Sequence, residues 1–233
     1  YIHEKIKNAE AIWFAGGNQW KYISYWRGTA IDGLIRDAIQ SRNIVIGGTS
    51  AGMAILGGSY FSAKYGTVTS STAMTNPYDS TITIEAKPFL DIDILSDVIT
   101  DTHYDARERM GRHVTFMARS LVDQGKPIKG IACDEYTAIC IDQKGRALVY
   151  GQFPEKDDQA YFVQVNNDID SNHPEECSSG APLNWNHGGK AIKVYTIKGT
   201  RDGAHFLNLN DWKTGNGGSW TFWSIDNGQF VEY

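Results

Sequence analysis

A glycine-flanked serine is the strongest chemical signal in this sequence. Ser50 lies in the G-x-S-x-G segment 48–52, which follows the apolar run 43–48 and precedes small residues. This pattern predicts a sharp turn from a strand into a helix that lifts the serine hydroxyl above the sheet edge. The glycines let neighbouring backbone pass without a Cβ clash. Ser50 is therefore predicted to be a nucleophile, with the Ala51 N–H as an oxyanion donor and the helix dipole beneath it.

His103 is the best candidate for the general base among the six histidines. It follows the predicted strand 96–100. In a doubly wound sheet, reacting groups gather at the carboxyl ends of strands, where Ser50 is also expected. His113 falls inside the predicted helix 107–121, where a surface or packing role is expected.

The acid that would orient His103 is not fixed by spacing. Asp134 and Glu135 both follow the predicted strand 128–133 and rank first, without being separated from each other. Asp101 could instead shape the turn before His103, and Glu85 is a fourth candidate. Whichever carboxylate serves must accept a hydrogen bond from the second imidazole nitrogen.

A cluster of arginines follows the candidate base. Arg107, Arg109 and Arg112 lie close together in the sequence. At about 100° per residue, they cannot all face one pocket from a continuous helix. One or two are expected to bind a substrate carboxylate, as guanidinium groups do. The others would be solvated or would pair with neighbouring acids.

The elements that position these residues change character near residue 157. Residues 1–157 alternate short apolar runs with amphipathic segments, a pattern typical of a parallel sheet with crossover helices. Residues 158–233 contain strand-like runs separated by turn-rich stretches, which predicts an antiparallel β-rich extension. This extension holds four of the seven tryptophans, which are expected to cover part of the main domain.

Composition narrows the function classes. The chain has 233 residues, is 41% hydrophobic and carries a net charge of −5, which argues against nucleic acid or an anionic membrane as the main partner. The sequence has no apolar run long enough to predict a membrane span. The three cysteines lack the spacing of zinc ligands, and Cys133 and Cys140 are expected to be small buried hydrophobes.

Four segments together resemble the cyanophycinase and dipeptidase E family of serine peptidases. They are WFAGGNQ (13–19), GGTSAGM (47–53), DTHYDARERMGRH (101–113) and GIACDEYTAICI (130–141). Their order and spacing are similar to the family's pattern over residues 10–150. The resemblance implies a three-layer α/β/α fold with a mostly parallel sheet of the class I glutamine amidotransferase type.

The resemblance also implies roles for individual residues. Ser50, His103 and Glu135 would form a catalytic triad, with Gly17 and Ala51 as oxyanion donors. The residues implied to bind substrate are Asn18, Gln19, Thr102, Arg107, Arg109 and Arg112. The implied substrate is a peptide or dipeptide that contains aspartate, and the reaction requires no metal or cofactor.

Some features depart from the family's pattern or leave alternatives open. Thr102 stands where cyanophycinases have glutamine, and the family's first strand and helix are not found before residue 10. Either the chain was trimmed, or a separate N-terminal segment of the same protein completes the fold and is a candidate partner. A homodimer is a further candidate assembly. The rival functions are a serine esterase and a non-catalytic peptide- or glycan-binding protein. The composition of the extension favours a secreted or periplasmic protein.

Overall fold

The chain folds into two compact units that each combine discontinuous segments. The computed structural model describes residues 1–233. The first unit contains Tyr1–Thr67 and Ser80–Thr102, and the second contains Val68–Asp79 and His103–Tyr233. Together they form a mixed α/β protein with a large sheet.

The first unit surrounds a short parallel strand pair. Its elements are α1 (Ile2–Lys7), β1 (Ala11–Phe14), α2 (Gln19–Trp26), α3 (Ala30–Gln40), β2 (Val45–Gly48), a 3₁₀ helix (Ser50–Ile55), β3 (Tyr60–Phe61), β4 (Ile84–Glu85), a 3₁₀ helix (Asp93–Leu95) and β5 (Val98–Thr102). β1 and β2 are parallel, as the sequence predicts. Phe14, Ile35 and Ile55 are buried in its core, so the strands are fixed by apolar packing against α3 and the first 3₁₀ helix.

One face of the strand pair is exposed. Trp13 is 68% exposed and Val45 is 71% exposed, although both side chains are large and apolar. The Trp13 ring lies against Gly47, its register partner on β2. Parallel sheets are usually covered on both faces, so this face departs from the usual pattern.

The second unit is built on antiparallel strands. Its elements are α4 (Ser70–Thr75), α5 (Met110–Gln124), β6 (Lys129–Cys133), β7 (Ala138–Ile141), β8 (Arg146–Tyr150), β9 (Gln159–Val165), β10 (Ile192–Lys198), β11 (His205–Asn208), β12 (Gly215–Asn216), β13 (Gly218–Asp226) and β14 (Gln229–Glu232). Within this unit, the strands of one sheet have the order β14-β13-β10-β9-β6, and those of another have the order β12-β11-β8-β7. Every pair between these neighbours is antiparallel.

This topology differs from the mostly parallel sheet that the sequence pattern predicts. β9 lies in the predicted extension, yet it pairs with β6 of the predicted core. The compact units therefore do not follow a division at residue 157, because strands from both sides of that point share one sheet. The predicted domains, a core at 1–157 and a β-rich extension at 158–233, stay a prediction.

The helix α5 packs along the second unit and ends at a glycine. Gly125 has φ +64°, the left-handed conformation that commonly terminates helices. His113 on this helix is fully buried, and its Nδ1 lies 2.8 Å from the Tyr104 hydroxyl, so its role is in packing. Of all the helices in the protein, none combines the length and apolar character needed to cross a bilayer.

Aromatic residues of the predicted extension fill the core of the second unit. Trp185, Trp212 and Trp223 are at most 3% exposed. The Trp223 ring lies 5.8 Å from that of Tyr161 and 6.1 Å from that of Tyr104, measured between centroids. These tryptophans therefore build a core, whereas a ligand-binding surface would leave them open to solvent.

The two cysteines that are predicted to be buried hydrophobes differ in exposure. Cys133 is buried, as predicted. Cys140 is exposed, which corrects the prediction, because the side chains of β7 alternate between exposed and partly buried positions.

We expect Trp223→Ala to lower the free energy of unfolding by about 3–5 kcal/mol, because it removes a buried ring and leaves a cavity. The control is Trp220→Ala, which removes a half-buried ring beside Tyr195 and should cost about 1 kcal/mol. Urea unfolding of both variants measures the difference. Similar losses in the two variants would contradict a core role for Trp223.

Candidate active site

Ser50 lies in a strained turn at the carboxyl end of β2. Its φ is +51°, a left-handed conformation that costs a residue with a side chain about 1–2 kcal/mol. The preceding Thr49 N–H donates to the Phe14 carbonyl at 3.0 Å, which joins this turn to the end of β1. The chain then continues as the 3₁₀ helix Ser50–Ile55. This geometry matches the predicted strand-to-helix turn, with a tighter helix than the sequence indicates.

The turn has no room for side chains at its two flanking glycines. A Cβ on Gly48 would lie 2.4 Å from the Gly52 carbonyl group. A Cβ on Gly52 would lie 2.1 Å from the Phe14 carbonyl oxygen. Real Cβ atoms do not approach backbone this closely, so the G-x-S-x-G pattern has a direct steric cause here.

A second glycine turn lies beside Ser50. A methyl group added to Gly16 would lie 3.3 Å from the Ser50 Cβ, so the turn that follows β1 runs next to the serine. Gly17 has φ +139°, which residues with side chains rarely adopt. The Tyr22 hydroxyl donates to the Ala15 carbonyl at 3.0 Å and holds the start of this turn. The first unit thus brings the predicted oxyanion-donor segments, at Gly17 and Ala51, to the end of the sheet that carries Ser50.

The other predicted site residues of the first unit have distinct environments. Asn18 is exposed at the start of α2, and the Gln19 side-chain amide donates to the Phe61 carbonyl at 3.1 Å. Thr102 is 5% exposed at the end of β5. The alternative acid Glu85 pairs with the Arg27 guanidinium at 3.0 Å. This ion pair gives Glu85 a cationic partner of its own.

The second unit joins His103 to Glu135. His103 Nδ1 lies 2.5 Å from Glu135 Oε1, and the two side chains are 25% and 34% exposed. His103 has φ +54°, so the candidate base, like Ser50, has a left-handed backbone. This arrangement leaves Nε2 on the opposite side of the ring from the carboxylate. A carboxylate bound to Nδ1–H fixes the tautomer in which Nε2 can accept a proton.

The charge of Glu135 is stabilised by its neighbours. Partial burial raises the pKa of the Glu135 carboxyl, but the hydrogen bond from His103 and the charges of His103 and Arg107 lower the pKa more. The resulting pKa is below the usual glutamate value. Glu135 is therefore ionised at neutral pH and can stabilise an imidazolium.

The adjacent carboxylate has a different set of partners. Asp134 is 6% exposed, and it accepts hydrogen bonds from the Asp105 N–H, the Gln159 N–H and the Tyr161 hydroxyl. Burial raises the pKa of Asp134 despite these three donors. In the structure, Glu135 thus contacts His103, whereas Asp134 accepts hydrogen bonds from the backbone. Spacing alone does not distinguish the two acids.

The three candidate arginines have different environments. Arg107 is exposed, and its charge acts on Glu135. Arg109 is partly buried and precedes the first residue of α5. Arg112 is 3% exposed, its guanidinium donates to the Val68 carbonyl at 3.2 Å, and it lies 5.8 Å from the centre of the Phe116 ring. These contacts give Arg112 a structural role inside the second unit.

Two further features bear on ligand binding. An apolar cleft of about 300 Å³ in the first unit is lined by side chains of α1, β1, α2 and α3, and Ser50 does not line it. Among residues 1–233, no group of three or more His, Cys, Asp or Glu side chains is placed to hold a metal ion.

Comparison with known proteins finds similar chains. The family model described as peptidase family S51 matches residues 1–149. A cyanophycinase from Trichormus variabilis is 22% identical over 152 residues, which cover 65% of this chain and 45% of the relative. A crystal structure of a peptidase from an acI-B1 Actinobacterium matches with a TM-score of 0.43 and 19% identity, over 65% of this chain and 54% of that one. The chain spans about half the length of these two proteins.

We expect Gly52→Ala to destabilise the first unit by about 1–3 kcal/mol, because the added methyl group would overlap the Phe14 carbonyl. Gly33→Ala is the matched control: a methyl group there meets nothing within 4 Å in the middle of α3. It should raise stability by about 0.5–1 kcal/mol. Thermal and urea unfolding measure both changes, and a neutral Gly52→Ala would show that the turn tolerates a side chain.

We expect the stability of the protein to depend on pH through the carboxylate of Glu135. Because the folded pKa of Glu135 is below its usual 4.5, the stabilisation is present above that value and is lost as the pH falls through the folded pKa. Glu135→Gln cannot ionise, so it should remove this component, at most about 1 kcal/mol for side chains this exposed. Unfolding free energies of the wild type and of Glu135→Gln between about pH 3 and 7 measure this component of the stability. Identical pH profiles would mean that the pair does not stabilise the fold.

Proposed function

The chain belongs to peptidase family S51, and from this premise we propose that it is a serine peptidase with Ser50, His103 and Glu135 as its catalytic triad. The observation that carries the proposal is the hydrogen bond between His103 Nδ1 and Glu135 Oε1. The strained backbone of the turn at Ser50 is a second, separate observation that supports it. The proposed reaction is hydrolysis of peptide or isopeptide bonds adjacent to aspartyl residues. The three-layer fold of the glutamine amidotransferase type is part of the same proposal.

The proposed mechanism begins with proton transfer from Ser50. His103 Nε2 takes the hydroxyl proton as Oγ attacks the scissile carbonyl, and the ionised Glu135 stabilises the imidazolium that forms. His103 then gives this proton to the leaving amine, which leaves an acyl group on Ser50. A water molecule, activated by the same imidazole, attacks the acyl-enzyme and releases the acid product.

The backbone N–H groups of Gly17 and Ala51 are the proposed oxyanion donors. Their segments lie at the same end of the sheet as Ser50, and the unusual φ of Gly17 supports a specialised turn. In comparable sites each donor contributes about 3 kcal/mol to the stabilisation of the transition state. Because both donors are backbone groups, side-chain substitutions nearby act only by moving the turn.

The proposed substrate class follows from the relatives and from the basic residues near the dyad. The matched relative is a cyanophycinase. Arg107 is the exposed arginine whose charge reaches Glu135, and with Arg109, Asn18 and Gln19 it is proposed to bind acidic or main-chain groups of the substrate. Thr102, which replaces a glutamine of the family pattern, is proposed to alter the preferred linkage. A homodimer remains a proposed assembly.

We expect this chain to hydrolyse at least one member of a panel of β-Asp-Arg, β-Asp-Lys, Asp-X dipeptides and longer aspartyl peptides. Ser50→Ala should remove the activity because the acyl-enzyme cannot form. Glu135→Gln should lower kcat by about 10³–10⁴-fold, because glutamine no longer fixes the imidazole tautomer or stabilises its charge. Amine release followed by chromatography of the products measures both effects.

Labelling with a serine-directed fluorophosphonate provides the control for substrate choice. Ser50 should be labelled in the wild type, and His103→Ala should slow the labelling. Labelling without cleavage of any panel member would indicate an active nucleophile with a different substrate, such as an ester. A folded protein that neither reacts nor cleaves would contradict the proposed peptidase and favour a binding function.

A further inference from the structure

The carboxylate of Asp134 connects the chain segments that carry His103 and Glu135. Its Oδ1 accepts a hydrogen bond from the Asp105 N–H at 3.0 Å, two residues after His103. Its Oδ2 accepts from the Gln159 N–H at 3.0 Å, at the start of β9. Asp134 itself immediately precedes Glu135 and is 6% exposed. One buried side chain therefore joins both halves of the dyad and the neighbouring strand.

These contacts replace regular sheet pairing at the end of β6. The Asp134 N–H still donates to the Gln159 carbonyl at 3.0 Å, as in an antiparallel ladder. The Gln159 N–H, however, donates to the side chain of Asp134 rather than to a backbone carbonyl. The Tyr161 hydroxyl adds a third hydrogen bond to the same carboxylate at 3.1 Å. The strand can thus end here, and Glu135 can turn toward His103.

The turn that carries His103 needs an anchor because its backbone is strained. His103 has φ +54°, and conformations of this kind persist only when their surroundings impose them. Two backbone hydrogen bonds close the turn. The Arg107 N–H donates to the His103 carbonyl, and the Arg109 N–H donates to the Tyr104 carbonyl. The His103–Glu135 pair is partly exposed, so it is a weak anchor by itself. The Asp105–Asp134 hydrogen bond links the turn directly to the strand end.

We propose that Asp134 is a positioning residue that sets the geometry of the His103–Glu135 hydrogen bond by tying the His103 turn to the end of β6. Its effect on catalysis rests on the proposed function, whereas its effect on the hydrogen bond does not. Asp134 acts through the backbone of Asp105 and through its neighbour Glu135.

The test is Asp134→Asn, read by proton NMR of the whole chain and by steady-state kinetics. Asparagine keeps the size of the side chain, but it replaces one acceptor oxygen with an amide that must face a donor. We expect the downfield resonance of the His103 Nδ1–H···Oε1 hydrogen bond, assigned by its absence in His103→Ala, to be lost. We also expect kcat to fall about 10²-fold with little change in KM, as for a misplaced catalytic group.

Asn166→Ala is the matched control at the opposite end of β9. Asn166 is 2% exposed and, like Asp134, bridges two backbone groups, at Asp168 and Lys190. Its loss should destabilise the unit but leave the His103 resonance and kcat unchanged. Equal effects of the two variants on the resonance, or an unchanged resonance in Asp134→Asn, would overturn the proposal.

Amide exchange provides a test that does not depend on a variant folding. The proposal requires the Asp105 N–H to be protected from exchange in the wild type, although the Asp105 residue is exposed. Exchange as fast as in an unstructured peptide would overturn the proposal. If the wild type cleaves no substrate, the proposed function fails, but the NMR and exchange results still decide the role of Asp134.

Discussion

The geometry around Ser50 depends on the close contact between Gly52 and the carbonyl of Phe14. This contact requires β1 and β2 to be parallel neighbours, because only then do both strand ends meet the same turn. The left-handed backbone at Ser50 costs about 1–2 kcal/mol. Burial of Phe14 and Ile55, about 1.5–3 kcal/mol each, is sufficient to offset that cost. The strained serine is thus held by ordinary apolar packing directly beneath it.

The second unit holds its own strained residue by a different means. Next to His103, the Tyr104 side chain is fully buried against the rings of Tyr161 and Trp223. Tyr161 also donates to Asp134, so aromatic packing and the polar network share a residue. The antiparallel sheet that supplies Tyr161 and Trp223 is consequently part of the support of the dyad, and strands far along the sequence contribute to it.

The sequence predicts the local elements better than their assembly. The strands β1 and β2 and the helix α5 have clear apolar patterns, and the expected glycine-flanked turn is present at Ser50. The sequence does not predict the antiparallel pairing of β6 with β9, because a buried apolar strand has the same pattern whether its neighbours are parallel or antiparallel. The sequence does not predict the exposure of Cys140 for a related reason: periodicity does not reveal which face of a short strand is covered.

The candidate site shows the same limit at the level of single residues. Asp134 and Glu135 are adjacent acids at a strand end, so composition and spacing treat them alike. Both residues follow the end of β6, and Glu135 lies in a turn. Here the Asp134 side chain is buried, whereas the Glu135 side chain is 34% exposed. Burial raises the pKa of Asp134. Partial burial also acts to raise the pKa of Glu135, but hydrogen bonds to its carboxylate and the charges of His103 and Arg107 together lower it below the usual value. The two acids therefore differ because of tertiary environment alone. The partly exposed Glu135 carboxylate contacts the His103 imidazole, and the buried Asp134 carboxylate accepts hydrogen bonds from two backbone N–H groups and the Tyr161 hydroxyl.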